Sequence, residues 1–309
     1  MSGFSADWLS LREPADVAAR SSDVTDAVLG SIAEAQPRAD RETEIESVTS
    51  TIGASGSLLT PTEASASGSV SSARIAPIGV VDLGCGTGSN VRYLAPRFGP
   101  RLAASHWRLV DNDPALLAVA RATVPCAVDT DVVDLRVLDD HIFDGCSLVT
   151  ASALLDLVSE AWLTRLVALA RRAECHVLMA LNYDGRILCS PSDEDDELIR
   201  DLVNRHQRTD KGFGPALGPS AAVSADALLR AAGYTVHRAQ SDWQLGPAHA
   251  ELQRQLIEGW MQAATELAPE LASRIQSWTT RRLAHLSAGA SHLMVGHVDV
   301  GGVRGREST

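Results

Sequence analysis

Nine consecutive residues constrain this chain more than any others: Val80-Val81-Asp82-Leu83-Gly84-Cys85-Gly86-Thr87-Gly88. An apolar run that ends in an acid and three alternating glycines, with Val91, Leu94 and Phe98 following at helical spacing, reads as strand, tight loop and helix. Glycines at a strand end let the backbone pass close to a ligand, with free N–H groups and a helix N-terminus facing its polar end. A dinucleotide fingerprint requires G-x-G-x-x-G. Here Ser89 stands where the third glycine belongs, which disfavours NAD and FAD.

The same rhythm continues downstream. Trp107 to Asp111 repeats the strand signal, and Asp113-Pro114 opens a helix with an acid cap and a first-turn proline. Cys126 to Val128 with Val132 to Asp134, Ser147 to Ala151, and His176 to Leu181 are further strand candidates, with a helix over Ser159 to Ala173. After Asn182 the alternation pauses in a stretch rich in Gly, Pro, Asp and Arg, holding one helix near Glu194 to Arg205. Helix resumes at Ser224 to Ala232, a strand follows at Tyr234 to Arg238, helices cover Pro247 to Leu267 and Pro269 to Leu286, and a last strand runs from His292 to Val300. Strands alternating with helices argue for a parallel sheet covered on both faces.

The 309 residues suggest two domains on length alone. Residues 1–39 read instead as a helical arm of two short helices, with Pro14 as a break or first-turn residue. Residues 40–74 hold a charged patch and then a Ser/Thr/Gly/Ala run that could not fill a core, and read as a disordered insertion. What is left, 75–301 with a frayed tail at 302–309, suffices for one domain. With 39 acidic against 27 basic residues the formal charge is −12, and no long basic run supplies a footprint for nucleic acid or anionic membrane. Five cysteines form no CxxC pair and no Cys/His spacing, so no zinc site, other metal centre or disulfide framework is expected. No signal peptide or spanning segment is evident, and a cytoplasmic protein, monomer or homodimer, is expected.

The Asp82 to Gly88 run resembles the first motif of class I S-adenosylmethionine-dependent methyltransferases, and the likeness extends over about residues 75–300. It implies a Rossmann-like α/β three-layer sandwich, with a mostly parallel seven-stranded sheet whose last strand, His292 to Val300, is antiparallel, and helices on both faces. It implies S-adenosyl-L-methionine as cofactor, held by Asp82, Gly84, Cys85, Gly86 and Gly88. Asp111, with Asn112 beside it, falls where the family places an acid on the ribose hydroxyls, unless it only caps the helix at Pro114. Asp134 and Leu135 fall near the adenine, with Asp129 and Asp131 as competitors within one register error. Thr150 to Asp156 looks like the fourth strand and the loop that passes under the reacting methyl, with Ser152 at the cofactor. Arg12 either reaches the methionine carboxylate or forms a surface ion pair.

Residues 183–222 lie where such enzymes build the acceptor site. Tyr183, Arg186, Arg208 and Lys211 are candidate acceptor contacts, and Lys211 is the single lysine of the chain. His206 is the candidate general base and Asp156 a second catalytic candidate, which could instead hold a cationic amine. A basic cluster in an acidic chain points to an anionic or zwitterionic metabolite, or is a solvated loop whose charges pair with one another. Trp243 and Trp260 wall the pocket or fill the core. The expected activity is methyl transfer by in-line displacement. A catalytically silent cofactor-binding protein and an aminopropyltransferase are the alternatives.

Overall fold

The computed structural model describes residues 5–35 and 78–305, so the insertion expected at 40–74 lies outside the described residues. Helices α1 (Ala6–Ala19) and α2 (Ser22–Ala35) precede strand β1 (Ile78–Leu83), helix α3 (Ser89–Leu94) and strand β2 (Ser105–Asp111). There follow α4 (Pro114–Thr123), β3 (Val128–Val132), β4 (Leu148–Ser152), α5 (Glu160–Arg172), β5 (His176–Ser190) and α6 (Asp196–Gln207). The chain closes with α7 (Ala221–Ala231), β6 (Tyr234–Gln240), β7 (Trp243–Leu245), α8 (Ala250–Leu267), α9 (Ala272–Ser287) and β8 (His292–Arg304).

The sheet runs β3-β2-β1-β4-β5-β8-β6, with β7 paired to β8 off the end of that path. β1 to β5 are mutually parallel, and β8 is antiparallel to both β5 and β6. This is the expected α/β sandwich with one short strand added. Alternate residues of the central strands enter two separate cores. Val81, Leu83, Val149, Val177 and Met179 pack with α5 and α7, whereas Val80, Leu109, Leu148 and Leu178 pack with α2, α3 and α4. A third core lies where β5 and β8 extend together, between α1, β7, α6, α8 and α9.

Four expectations change. Pro14 lies inside a continuous α1, on an exposed face together with Ser10, whose carbonyl loses its helical donor to the missing N–H and can be hydrated instead. The strand expected across 126–134 is shorter, Val128–Val132, and forms the edge strand β3. β5 does not stop at Asn182 but continues to Ser190 along β8, with bulges between Met179 and Asn182 and between Tyr183 and Ile187. The opening of the 183–222 segment is therefore strand rather than irregular loop. β8 runs through Arg304, where it pairs with Tyr234, so residues 302–304 are not frayed.

Candidate functional site

Everything of interest sits at the carboxyl ends of β1, β2, β4 and β5. β1 is flanked by β2 on one side and β4 on the other, so the direction of winding reverses between β1 and β4. That is where open α/β sheets leave a crevice for ligands. The glycine loop leaves β1 there. Gly84, Gly86 and Gly88 have φ of +63°, +53° and +83°, a region other residues enter at a cost of about 1–2 kcal/mol. Cβ atoms would also collide: one at Gly86 would stand 2.9 Å from Leu9 Cδ1 of α1, and one at Gly88 2.7 Å from Val124. The loop is thus held open beneath α1.

Two acids fix the loop. Asp111, at the end of β2, accepts from the Gly86 N–H on Oδ2 at 2.8 Å and from the Asp113 N–H on Oδ1 at 3.0 Å. The helix cap is a different residue, Asp113, which accepts from the N–H of Ala115 and Leu116. Each Asp111 oxygen keeps a lone pair for a further donor, such as a ribose hydroxyl. Asp82 is fully buried. Its Oδ1 accepts from Asn90 Nδ2 at 2.7 Å, its Oδ2 has no partner among the described residues, and burial pushes its carboxyl up to about 7. Cys85 is buried, with its thiol pushed up by the same desolvation, and so has no nucleophilic character.

Behind Asp82 lies a network that sequence reading missed. Arg20, just past α1, donates from Nη1 to Asn90 Oδ1 at 2.8 Å, lies 3.6 Å from Asp299 of β8 and stacks over Tyr93. Asp299 also accepts from the N–H of Ser21 and Leu181, and Asn90 donates to Thr150 Oγ1 of β4. The helical arm is therefore tied to β1, β4 and β8 at the turn between α1 and α2. Nothing local announces this.

Arg12 is not on the surface. It is 8% exposed, donates to both oxygens of Asp16 at 2.9 and 3.1 Å, and lies 5.1 Å above the ring of Trp243. Trp243 donates its indole N–H to the same Asp16. Trp243 and Trp260 both belong to the third core. Arg12 also lies close enough to act on the charge of Asp156 and His297.

Asp156 follows β4 in a short helical turn, one residue past Leu155 and two past Leu154, whose side chain lies where a Cβ at Gly84 would touch it. It is 7% exposed, and burial pushes its carboxyl up to about 6 against the opposing pull of its own N–H, the nearby Arg12 charge and the Tyr183 N–H. Its Oδ1 has no partner, and the neighbouring β5 residue Asn182 likewise leaves Oδ1 unpartnered. Tyr183 is buried and donates to Asn204 Oδ1 at 2.7 Å. Its ring meets His297 edge-on at 6.3 Å.

The basic residues sort differently. Arg186 is clamped between Asp184 at 2.5 Å and Asp242 at 2.7 Å. His206 Nε2 lies 3.0 Å from Glu266 of α8, and Lys211 Nζ lies 3.3 Å from His206 Nδ1 and 3.0 Å from Thr209 Oγ1. Partial burial lowers the Lys211 ammonium. Arg208 is exposed and donates to the Asn204 carbonyl. The basic cluster is largely compensated by neighbours, and His206, with both ring nitrogens engaged, is not poised as a base.

On the far side, β3 pairs Asp129 and Asp131 within the strand, opposite Arg108 and Val110 of β2, and only Asp134 lies beyond its end. Asp129 and Asp131 instead face His106 and Arg108. Asp134 is exposed and held by Arg136. Leu135 is buried, its carbonyl accepting from Trp162 Nε1 at 2.6 Å. Asn112 is exposed next to Asp111, and Ser152 ends β4 opposite the glycine loop. No group of three or more His, Cys, Asp or Glu among the described residues could hold a metal, and no helix there is long and apolar enough to cross a membrane.

Residues 80–173, from β1 through α5, match the family model of a methyltransferase domain. Over those residues the chain resembles a methyltransferase domain, set on a Rossmann-like sheet. No curated protein matches the sequence. Among solved structures, a cyclopropane-fatty-acyl-phospholipid synthase-like protein from Lactobacillus casei is 14% identical over 74% of this chain and 85% of its own, with a TM-score of 0.47. A cyclopropane synthase from Mycobacterium tuberculosis is 10% identical over 72% and 78%, with a TM-score of 0.38. The phosphoethanolamine N-methyltransferase 2 of Haemonchus contortus, solved with S-adenosyl-L-methionine, is 16% identical over 75% of this chain and 49% of its own, at 0.37. None of these assigns a substrate to this chain.

Proposed function

We propose that this chain is an S-adenosylmethionine-dependent methyltransferase whose acceptor is a small, zwitterionic metabolite. The observation that carries the reading is the glycine loop at the β1/β4 crevice with its Gly86 N–H on the Asp111 carboxylate. The residues present fit the cofactor. Asp111 has oxygens left for two ribose hydroxyls, Asp134 stands beyond β3 for the adenine amino group, and Asp82 Oδ2 is an unpartnered buried acceptor suited to an ammonium. Bound there, the cofactor supplies an electrophilic methyl on a sulfonium. The chain's part is to align the acceptor, exclude water beneath α1 and receive a proton.

A simple anion is less well served than a zwitterion, because Arg12, Arg186 and His206 already have acidic partners. Exposed Arg208 and the nearby Lys211 remain for an anionic end. Calorimetry with S-adenosylmethionine and S-adenosylhomocysteine tests the core of this reading. The full chain should bind both, and Asp111→Ala should weaken both by at least about tenfold, the loss of charge-assisted bonds to the ribose. No binding by the unmodified chain overturns it.

A further inference from the structure

Among the described residues, nearly every acid around the carboxyl edge has a basic partner. Asp16 is matched by Arg12, Asp184 and Asp242 by Arg186, Glu266 by His206, Asp299 by Arg20, and Asp134 by Arg136. Asp111 accepts from two backbone N–H groups, and Asp82, whose Oδ1 takes Asn90, keeps its Oδ2 for the cofactor end of the crevice. Asp156 makes no ion pair among the described residues. An ionised carboxylate buried without a cation is costly, and such a group is relieved when a cationic partner enters.

The surroundings favour that partner over an anion. Asp156 Oδ1 is an unpartnered acceptor, and the carboxylate takes the N–H of Tyr183 in β5, whose ring sits edge-on to His297. An ammonium has three donors and no acceptor, whereas a carboxylate or phenolate would set acceptor against acceptor and charge against like charge. The imidazole of His297, which the charges of Arg12, Asp242 and Arg186 face, is pushed down to about 3 by burial, so it stays neutral and does not compensate Asp156. The cation nearest in effect, Arg12, spends its Nε and one Nη on Asp16.

We infer that the methyl acceptor is an amine, that Asp156 binds it as its ammonium and that Asp156 takes the proton that must leave nitrogen before transfer. This rests on the proposed methyltransferase reading and names the atom methylated. The ammonium gives one proton to Asp156 Oδ1. The freed lone pair on nitrogen forms the new N–C bond as the donor's C–S bond breaks, that bond's electron pair remaining on sulfur. The product leaves as the methylated ammonium, and Asp156 releases its proton to solvent. Oδ1 is shut off from solvent, so entry of the amine requires the elements that cover it to move.

The test is binding, read apart from turnover. With S-adenosylhomocysteine present, the full chain is titrated with benzylamine and cyclohexylamine and with benzoate and cyclohexanecarboxylate, followed by tryptophan fluorescence. The amines should bind at least about tenfold more tightly than the carboxylates of matched shape, and Asp156→Asn should erase that preference while binding S-adenosylhomocysteine unchanged. Asp156→Glu, which keeps the charge, should retain it, and this decides the matter if the Asn variant does not fold. Carboxylates bound as well as amines, no probe bound, or an amine preference that survives in Asp156→Asn overturns the inference. Loss of S-adenosylhomocysteine binding by the unmodified chain overturns the methyltransferase reading itself, a separate result.

Discussion

A carboxylate kept buried for a ligand has a cost that can be measured without any ligand. Burial pushes the Asp156 carboxyl from 3.8 to about 6 in the folded chain. The native state then holds this proton more tightly than the unfolded chain does. The stability contributed is fully present below 3.8 and is lost as pH rises through about 6. At 1.36 kcal/mol per pH unit, the ionised side chain leaves the native state about 3 kcal/mol short of what a neutral one would give. Asp156→Asn keeps the shape and never ionises. It should therefore be more stable than the unmodified chain by about 3 kcal/mol near pH 8, by about 1.5 kcal/mol near pH 5, and by nothing once the acid is protonated in both states. For a chain of this size the larger figure is roughly 5 °C in melting temperature. Urea denaturation of the cofactor-free protein at both pH values reads the difference directly. A variant no more stable near pH 8, or one whose gain is the same at both pH values, would refute the argument that an unpaired ionised carboxylate is buried here.

Gly86→Ala places a Cβ against Leu9 at a positive φ, and should weaken S-adenosylhomocysteine binding while costing about 1–2 kcal/mol. Adding Leu9→Ala removes the collision but not the backbone strain, so calorimetry on the double variant should show only partial recovery. Arg20→Met strips the buried partner from Asp299 and the donor from Asn90, and should cost about 3–5 kcal/mol in denaturant melts, far more than Asp299→Asn adds on top of it. His206→Ala breaks a contact to a half-exposed Glu266 and should change stability by no more than about 1 kcal/mol. Turnover, once an acceptor is in hand, should stay within about threefold in that variant, whereas a hundredfold loss would return His206 to the role of base.

The central sheet was legible because its strands are buried on both faces, so Val80 to Leu83, Leu109 and Val110, and Leu148 to Ala151 stand out as apolar runs. β3 shows apolar residues only toward its two ends because an edge strand alternates, and Asp129 and Asp131 interrupt its pattern on the solvent side. β5 was cut short because Asp184-Gly185-Arg186 is written in turn residues. The structure uses them as a bulge, with Gly185 at φ +91° and Arg186 held between two acids, and then resumes pairing with β8. β7, three residues long, carries too little pattern to be seen.

Local backbone chemistry and long-range charge pairing are read from a sequence with very different success. The glycine loop and Asp111 could be placed because a strand, a turn and the end of the next strand are each short-range events, and the loop's own glycines report their dihedrals. Which of Asp129, Asp131 and Asp134 lies past the strand end needed only the β2–β3 register. The basic cluster misled for the opposite reason. His206 finds Glu266 sixty positions away, Arg186 finds Asp242 fifty-six away, and Arg20 finds Asp299 across almost the whole chain. A run of cations in a sequence therefore says little about which charges are free. In a chain with twelve more acids than bases, the rarer sign is the one that folding tends to pair off, and the charge left over at a site is more often negative. Asp156 is that remainder here, and the same arithmetic shifts the expected acceptor from the anion suggested by Lys211 toward a molecule that brings its own positive charge.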